Sequence, residues 1–162
     1  MTADVLPYAF NKRRRGASIV EAAIVLALAL LFLFGILEYC RFFFVRNTLI
    51  AAAREGARFA VVHTHDRTTE EVRNHIYQYL RPLGANLHQF NPSADIILYK
   101  ADSAGNPVRD GHGNLVPWTD ASYGESIGVR ITARYKPTVP ILLGMPQTLT
   151  IRARCCMSSE AN

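Results

Sequence analysis

From Ala17 to Leu37 the chain runs through 21 residues of which only Glu21 is charged. At 1.5 Å per residue a helix of that length crosses a hydrocarbon core about 30 Å thick. The pattern therefore predicts a transmembrane helix over residues 17–39. A secretory signal peptide would have a shorter apolar region, about 7–15 residues, followed by a polar stretch and a small-residue cleavage site. From Glu38 to His63 the apolar run gives way to a segment rich in Ala, Arg and Leu with no Pro and one Gly. Glu38 with Arg41 and Glu55 with Arg58 stand three residues apart there, a spacing that supports a helix. One rod from about Ser18 to His63 is predicted, with residues 40–66 as its extension beyond the membrane. Its outer half carries Ala52, Gly56 and Ala60 four residues apart, widened by Ala53 and Ala57. Such a small-residue stripe lets another backbone approach closely, and both packing on the chain's own globular part and helix-to-helix assembly would use it.

Residues 67–162 are predicted to form a small α+β domain. Thr68 and Glu71 have the spacing of a capping box, and Val72, Ile76, Tyr79 and Leu80 then recur at helical period until Pro82 and Gly84. Beyond them the period becomes two. In a first strand Ile96, Leu98 and Lys100 oppose Asp95, Ile97 and Tyr99. In a second, Ile127, Val129, Ile131, Ala133 and Tyr135 oppose Ser126, Arg130, Thr132 and Arg134. In a third, Leu149, Ile151, Ala153 and Cys155 oppose Thr148, Thr150, Arg152, Arg154 and Cys156. The alternation predicts an antiparallel sheet with one covered and one wet face. Ala101–Gly124 is rich in Gly, Asn, Asp and Pro and contains Gly-Asn-Pro-Val at 105–108 and Gly-Asn-Leu-Val at 113–116, the marks of a turn-rich loop or small hairpin. Trp118 is the candidate anchor of that loop on the sheet, and no longer internal repeat is read.

The formal charge of +5 changes this picture only at the N-terminus. Lys12, Arg13, Arg14 and Arg15 precede the apolar run, and without residues 1–16 the chain keeps 14 basic against 12 acidic residues. The cluster predicts a cytoplasmic N-terminus by the positive-inside tendency, with everything after Tyr39 extracytoplasmic. No nucleic-acid partner is predicted, because aromatic residues do not interleave with the arginines at 130, 134, 152 and 154. Those arginines form a basic stripe that is either a solvated face or a surface for lipid headgroups, acidic glycans or an acidic neighbouring subunit.

Candidate chemistry is sparse. Cys40, Cys155 and Cys156 have neither disulfide-framework nor zinc-site spacing. His63 and His65, two residues apart, do not share a helix face, and on a strand only they and Asp66 would be available to a metal, while Asp102, Asn106 and Asp110 lack the spacing of a calcium loop. Nucleophile-elbow, dinucleotide, Walker and zincin motifs are absent. The expectation is a protein without catalytic residues, metal or cofactor.

Three stretches stand out together: Gly-Ala-Ser-Ile-Val-Glu at 16–21 with its apolar helix and Gly35-Ile36-Leu37-Glu38; Ala-Ala-Ala-Arg-Glu-Gly-Ala-Arg at 51–58; and a carboxy-terminal pair of strands around a Pro-rich link. In these stretches the chain resembles the TadE-like pseudopilins of the tight-adherence (Flp) pilus system. The first would suit any type IV pilin-like protein, and the second is what points to TadE. The resemblance implies that a prepilin peptidase removes the leader, residues 1–16, by cutting between Gly16 and Ala17. Glu21 becomes the fifth residue of the mature chain and meets the free amino terminus of a neighbouring subunit. That ammonium would offset the roughly 2.5–3.5 kcal/mol a carboxylate costs in the bilayer core. A protonated Glu21 near the interface is the alternative reading. The implied protein is a minor structural component in the bacterial inner membrane, whose domain is periplasmic and whose partners are membrane lipid, other pilins or pseudopilins, and the pilus assembly machinery. The competing functional class is a membrane-anchored extracytoplasmic binding module outside any filament, and a weaker third is an anchored enzyme.

Overall fold

The computed structural model describes residues 12–138, 140 and 144–159. Residues 1–11 of the leader lie outside this range, and of Lys12–Arg15 and Ala17 only the backbone is described. Helix α1 is Lys12–Val62, 51 residues. It begins six positions before the expected Ser18, because Lys and Arg are good helix formers and nothing before Gly16 interrupts them. The chain divides into two compact units, Met1–Leu37 and Glu38–Asn162.

In the first unit the described side chains from Ser18 to Leu30 are all exposed, and Phe32 reaches 71 %. α1 carries a stretch long and apolar enough to cross a membrane.

The second unit has two layers. The part of α1 from Glu38 onward and α2 (Thr69–Leu80) cover one face of a three-stranded antiparallel sheet ordered β1 (Ile96–Ala101), β2 (Ser126–Tyr135), β3 (Leu149–Ser158). Strand register puts Leu98, Val129 and Cys155 in one inward row and Ile96, Ile131 and Ala153 in the next. These rows join Val45, Leu49, Val72 and Ile76 in a single core. The capping box that starts α2 is complete: Glu71 N–H donates to Thr68 Oγ1 at 3.3 Å and Thr68 N–H to Glu71 Oε2 at 2.8 Å. Val72, Ile76 and Leu80 are buried as the helical period requires, but Tyr79 is 45 % exposed and lies edge-on to His75. A phenol tolerates that edge position because its hydroxyl stays in water. α3 is a single turn, Pro92–Asp95, leading into β1. Lys100 faces inward at the end of β1 and reaches Glu125 at 2.6 Å.

The outer face of the sheet is not uniformly wet. Tyr99 lies flat across Gly128, where a Cβ would stand 2.4 Å from the ring, and it is fully buried. Beside it Cys156 sits under Gly105, donating to the Gly105 carbonyl at 3.5 Å. The segment 101–116 thus folds over one end of this face. It also contains a longer repeat than the sequence reading recognised, Asp-x-x-Gly-Asn-x-Val at 102–108 and again at 110–116. In each copy the Asp carboxylate accepts two turn N–H groups, from Ala104 and Asn106 in the first and from His112 and Asn114 in the second. Gly105 and Gly113 adopt φ of 80° and 84°, which side chains disfavour. Lys100, Val108 and Val116, eight residues apart, close a ring of backbone hydrogen bonds: Val108 N–H to Lys100 O, Val116 N–H to Val108 O, and Lys100 N–H to Val116 O. Trp118 is buried as an anchor, but its indole N–H donates to Thr69 Oγ1 at 2.9 Å, so it ties the loop to the start of α2.

Candidate functional site

The residues singled out in the N-terminal half fall into three groups along α1. At the junction, Gly16 is exposed, and no heavy atom would come within 4 Å of a Cβ built there. Glu21, one turn and a half further, is exposed among exposed apolar neighbours. Among the described residues of the first unit, nothing covers either position.

The second group is the small-residue stripe. Ala52, Ala53, Ala57 and Ala60 are completely buried, and so is Gly56. A Cβ on Gly56 would stand 2.4 Å from both Cγ1 and Cδ1 of Ile76, and 3.7 Å from Val129 Cγ1. The stripe is therefore occupied by the chain's own α2 and β2, and only glycine permits the approach. At the rim of this contact Glu55 pairs with Arg58 at 2.6 Å and with His75 at 3.4 Å. The Arg58 hydrogen bonds hold the Glu55 carboxyl below the usual carboxylate range, with His75 adding to the effect. The His75 ring stacks on Phe59 at 4.1 Å.

The third group figured in the sequence only through Glu38, in a helix-supporting pair with Arg41 and in the stretch Gly35-Ile36-Leu37-Glu38. Glu38 is 4 % exposed. Its carboxylate accepts the Tyr135 hydroxyl and, at 3.2 Å, the Thr138 N–H, with the Arg41 guanidinium 3.9 Å away. Arg41 in turn donates to Asn86 Oδ1 from Nε at 2.8 Å, bonds Thr138 Oγ1, and lies 5.5 Å from the Tyr135 ring centre. Burial, then the bond to Glu38, pushes the Tyr135 hydroxyl well above the usual tyrosine range. This cluster fastens the last residue of β2 and the segments around 86 and 138 onto α1 at the first residue after the apolar run. Beside it lies an apolar cavity of about 150 Å³ lined by Tyr39, Phe42, Tyr135, Met145 and Leu149. The only sequence signal for the cluster is the placement of Glu38 directly after Leu37, since Tyr135 is 97 residues away.

The junction, the acid and the small-residue segment all fall within one stretch of α1 that matches a known family. Residues 16–58 match the family of TadE-like proteins. That family is a structural one associated with the tight-adherence (Flp) pilus, and the match suggests involvement in that system. The TadE-like segment starts at the Gly16–Ala17 junction and ends at Arg58, so it includes Glu21, Glu38 and Gly56 but none of the sheet. One long apolar N-terminal helix fits a single-pass membrane anchor. No curated protein and no solved structure gives a significant match to the chain.

The four arginines read as a basic stripe share the outer face of the sheet. Arg130 is paired with Arg154, Thr132 with Arg152, and Arg134 with Thr150. Arg134, Arg152 and Arg154 are exposed, while Arg130 is partly covered and lies over the Tyr99 ring at 5.9 Å.

Proposed function

We propose that this chain is a minor pseudopilin of the tight-adherence pilus machinery, anchored by α1 with its N-terminus in the cytoplasm and its α+β domain in the periplasm. A prepilin peptidase cuts between Gly16 and Ala17, leaving the apolar helix as anchor. Glu21, then the fifth residue, meets the amino terminus of a neighbouring subunit within the membrane, where each charge offsets the cost of the other. The observation that carries this reading is that the TadE-like match opens on Gly16 and spans the acid and the Ala51–Arg58 segment. The exposure of Gly16 and Glu21 is consistent with it, because a peptidase and a neighbour both need access.

The test is an intact-mass measurement on the protein isolated from its own membrane, followed by the same preparation of Glu21→Ala. A chain beginning at Ala17 is expected for both proteins, with the variant inserted in the membrane but missing from assembled pili. A chain that retains Met1 would overturn the processing step and favour a plain anchored binding module, and normal assembly by Glu21→Ala would overturn the role of the acid.

A further inference from the structure

The strands of the sheet contain no acidic residue in 26 positions, yet the outer face presents four arginines and no lysine. None of the four makes an ion pair among the described residues, although seven such pairs exist elsewhere. Arg130 and Arg154 stand directly opposite each other across β2 and β3. Like charges in that position repel and weaken the strand pair, and although Arg130 lies over the Tyr99 ring, no carboxylate among the described residues pairs with any of the four. Guanidinium groups bind carboxylates through two parallel hydrogen bonds, which a lysine cannot do, and threonines 132 and 150 set hydroxyls between them.

We propose that this arginine face is a docking surface for a partner protein that presents a row of carboxylates. The surface is lateral: β2 runs beside the outer part of α1, with Tyr135 against Phe42 and Val129 close to Gly56, and the arginines lie on the side of the sheet away from that helix. From Arg130 to Arg134 the ladder extends about 13 Å. Guanidinium groups held at fixed spacing along that length match carboxylates that are themselves held at fixed spacing, as on a folded protein surface. The threonines supply directional donors and acceptors between the charges, which suits a folded surface of fixed geometry. This docking site is independent of cleavage at Gly16 and of Glu21.

The experiment places the photocrosslinker p-benzoyl-L-phenylalanine in position 132 or 150 of the full chain, expressed in the envelope of the bacterium that makes it, with the crosslinker at exposed position 77 on α2 as control. The expected result is an adduct with one protein from positions 132 and 150 but not 77, the crosslinked peptide carrying several Asp or Glu residues. Arg152→Glu with Arg154→Glu should lower its yield at least tenfold, and replacing the partner's carboxylates by Arg should restore it. Arg152→Gln with Arg154→Gln, checked by its melting temperature, gives the same readout if the reversed pair fails to fold. Adducts with lipid or glycan, a partner peptide without acids, a yield indifferent to these changes, or no adduct above the control would each overturn the proposal.

Discussion

The two halves of α1 use the same secondary structure for opposite purposes. Between Ser18 and Leu37 most side chains are apolar, many are large, and nearly all are exposed, with Ile19 at 70 % and Phe32 at 71 %. Between Glu38 and Val62 the buried positions 45, 49, 52, 53, 56, 57, 60 and 61 recur at helical spacing, and most of them are Ala or Gly. Bulk without a partner inside the chain requires lipid or another molecule, whereas smallness marks contacts already made. Hydrophobicity alone therefore misjudges which half holds the domain together. Among the described residues the apolar half buries no side chain within its own unit, and the small-residue half is where α1 meets α2 and β2 at Gly56.

The largest test of that contrast is Gly56→Leu. The added side chain begins 2.4 Å from Ile76 and has no free volume, so the second unit should lose about 3 kcal/mol, read as a lower denaturant midpoint in detergent, while membrane insertion is unchanged. Glu38→Ala comes next. It leaves the Tyr135 hydroxyl and Thr138 N–H without their acceptor and should cost about 2 kcal/mol, with Arg41 adding little because it is a third exposed. Equal losses from Phe32→Ala would break the comparison, for that exposed side chain should change the domain's stability by less than about 0.5 kcal/mol.

Two pH limits sharpen it further. Tyr99 is pushed up to about 12, by burial first and then by the neighbouring Cys156 thiol, and Tyr135 is raised as well. A raised folded value means that stability is fully present below the unfolded value near 10 and is lost as pH climbs through the folded one. Absorbance of tyrosinate should therefore show two of the seven tyrosines titrating late, together with loss of near-ultraviolet circular dichroism. Tyr135→Phe removes one late step. On the acid side Glu55 and Glu71 are held low by Arg58 and by the Thr68 cap respectively, so their contribution persists above the usual carboxylate value near 4.5 and fades as pH falls through the lowered ones. A smaller loss than at Gly56 or Glu38 is expected from Thr68→Ala, about 1 kcal/mol from the lost cap, confined to the domain and absent from the apolar half.

Much of this was legible from local pattern. The apolar run, the capping box, the alternation of β2 and β3 and the inward set Ile127 to Tyr135 each depend on residues within a few positions of one another, which is where periodicity carries information. Tyr79 escaped because a half-apolar side chain satisfies either face. The buried Tyr99 escaped because its cover comes from a loop and from the missing side chain of Gly128. The Asp-x-x-Gly-Asn-x-Val repeat was present in the sequence, but the ring through Lys100, Val108 and Val116 that gives it meaning is a tertiary closure.

By itself the sequence determined that a helix long enough for a membrane carries one acid, that a small-residue stripe follows it, and that three amphipathic strands come after a short helix. Which surface the stripe meets, and that Glu38 closes a buried cluster with Tyr135, Thr138 and Arg41, only the tertiary structure decided. The reason is physical. Local spacing sets which side chains share a face, but what that face touches depends on segments 20 to 100 residues away, such as Ile76 for Gly56 and Thr138 for Glu38, and no periodicity encodes that distance.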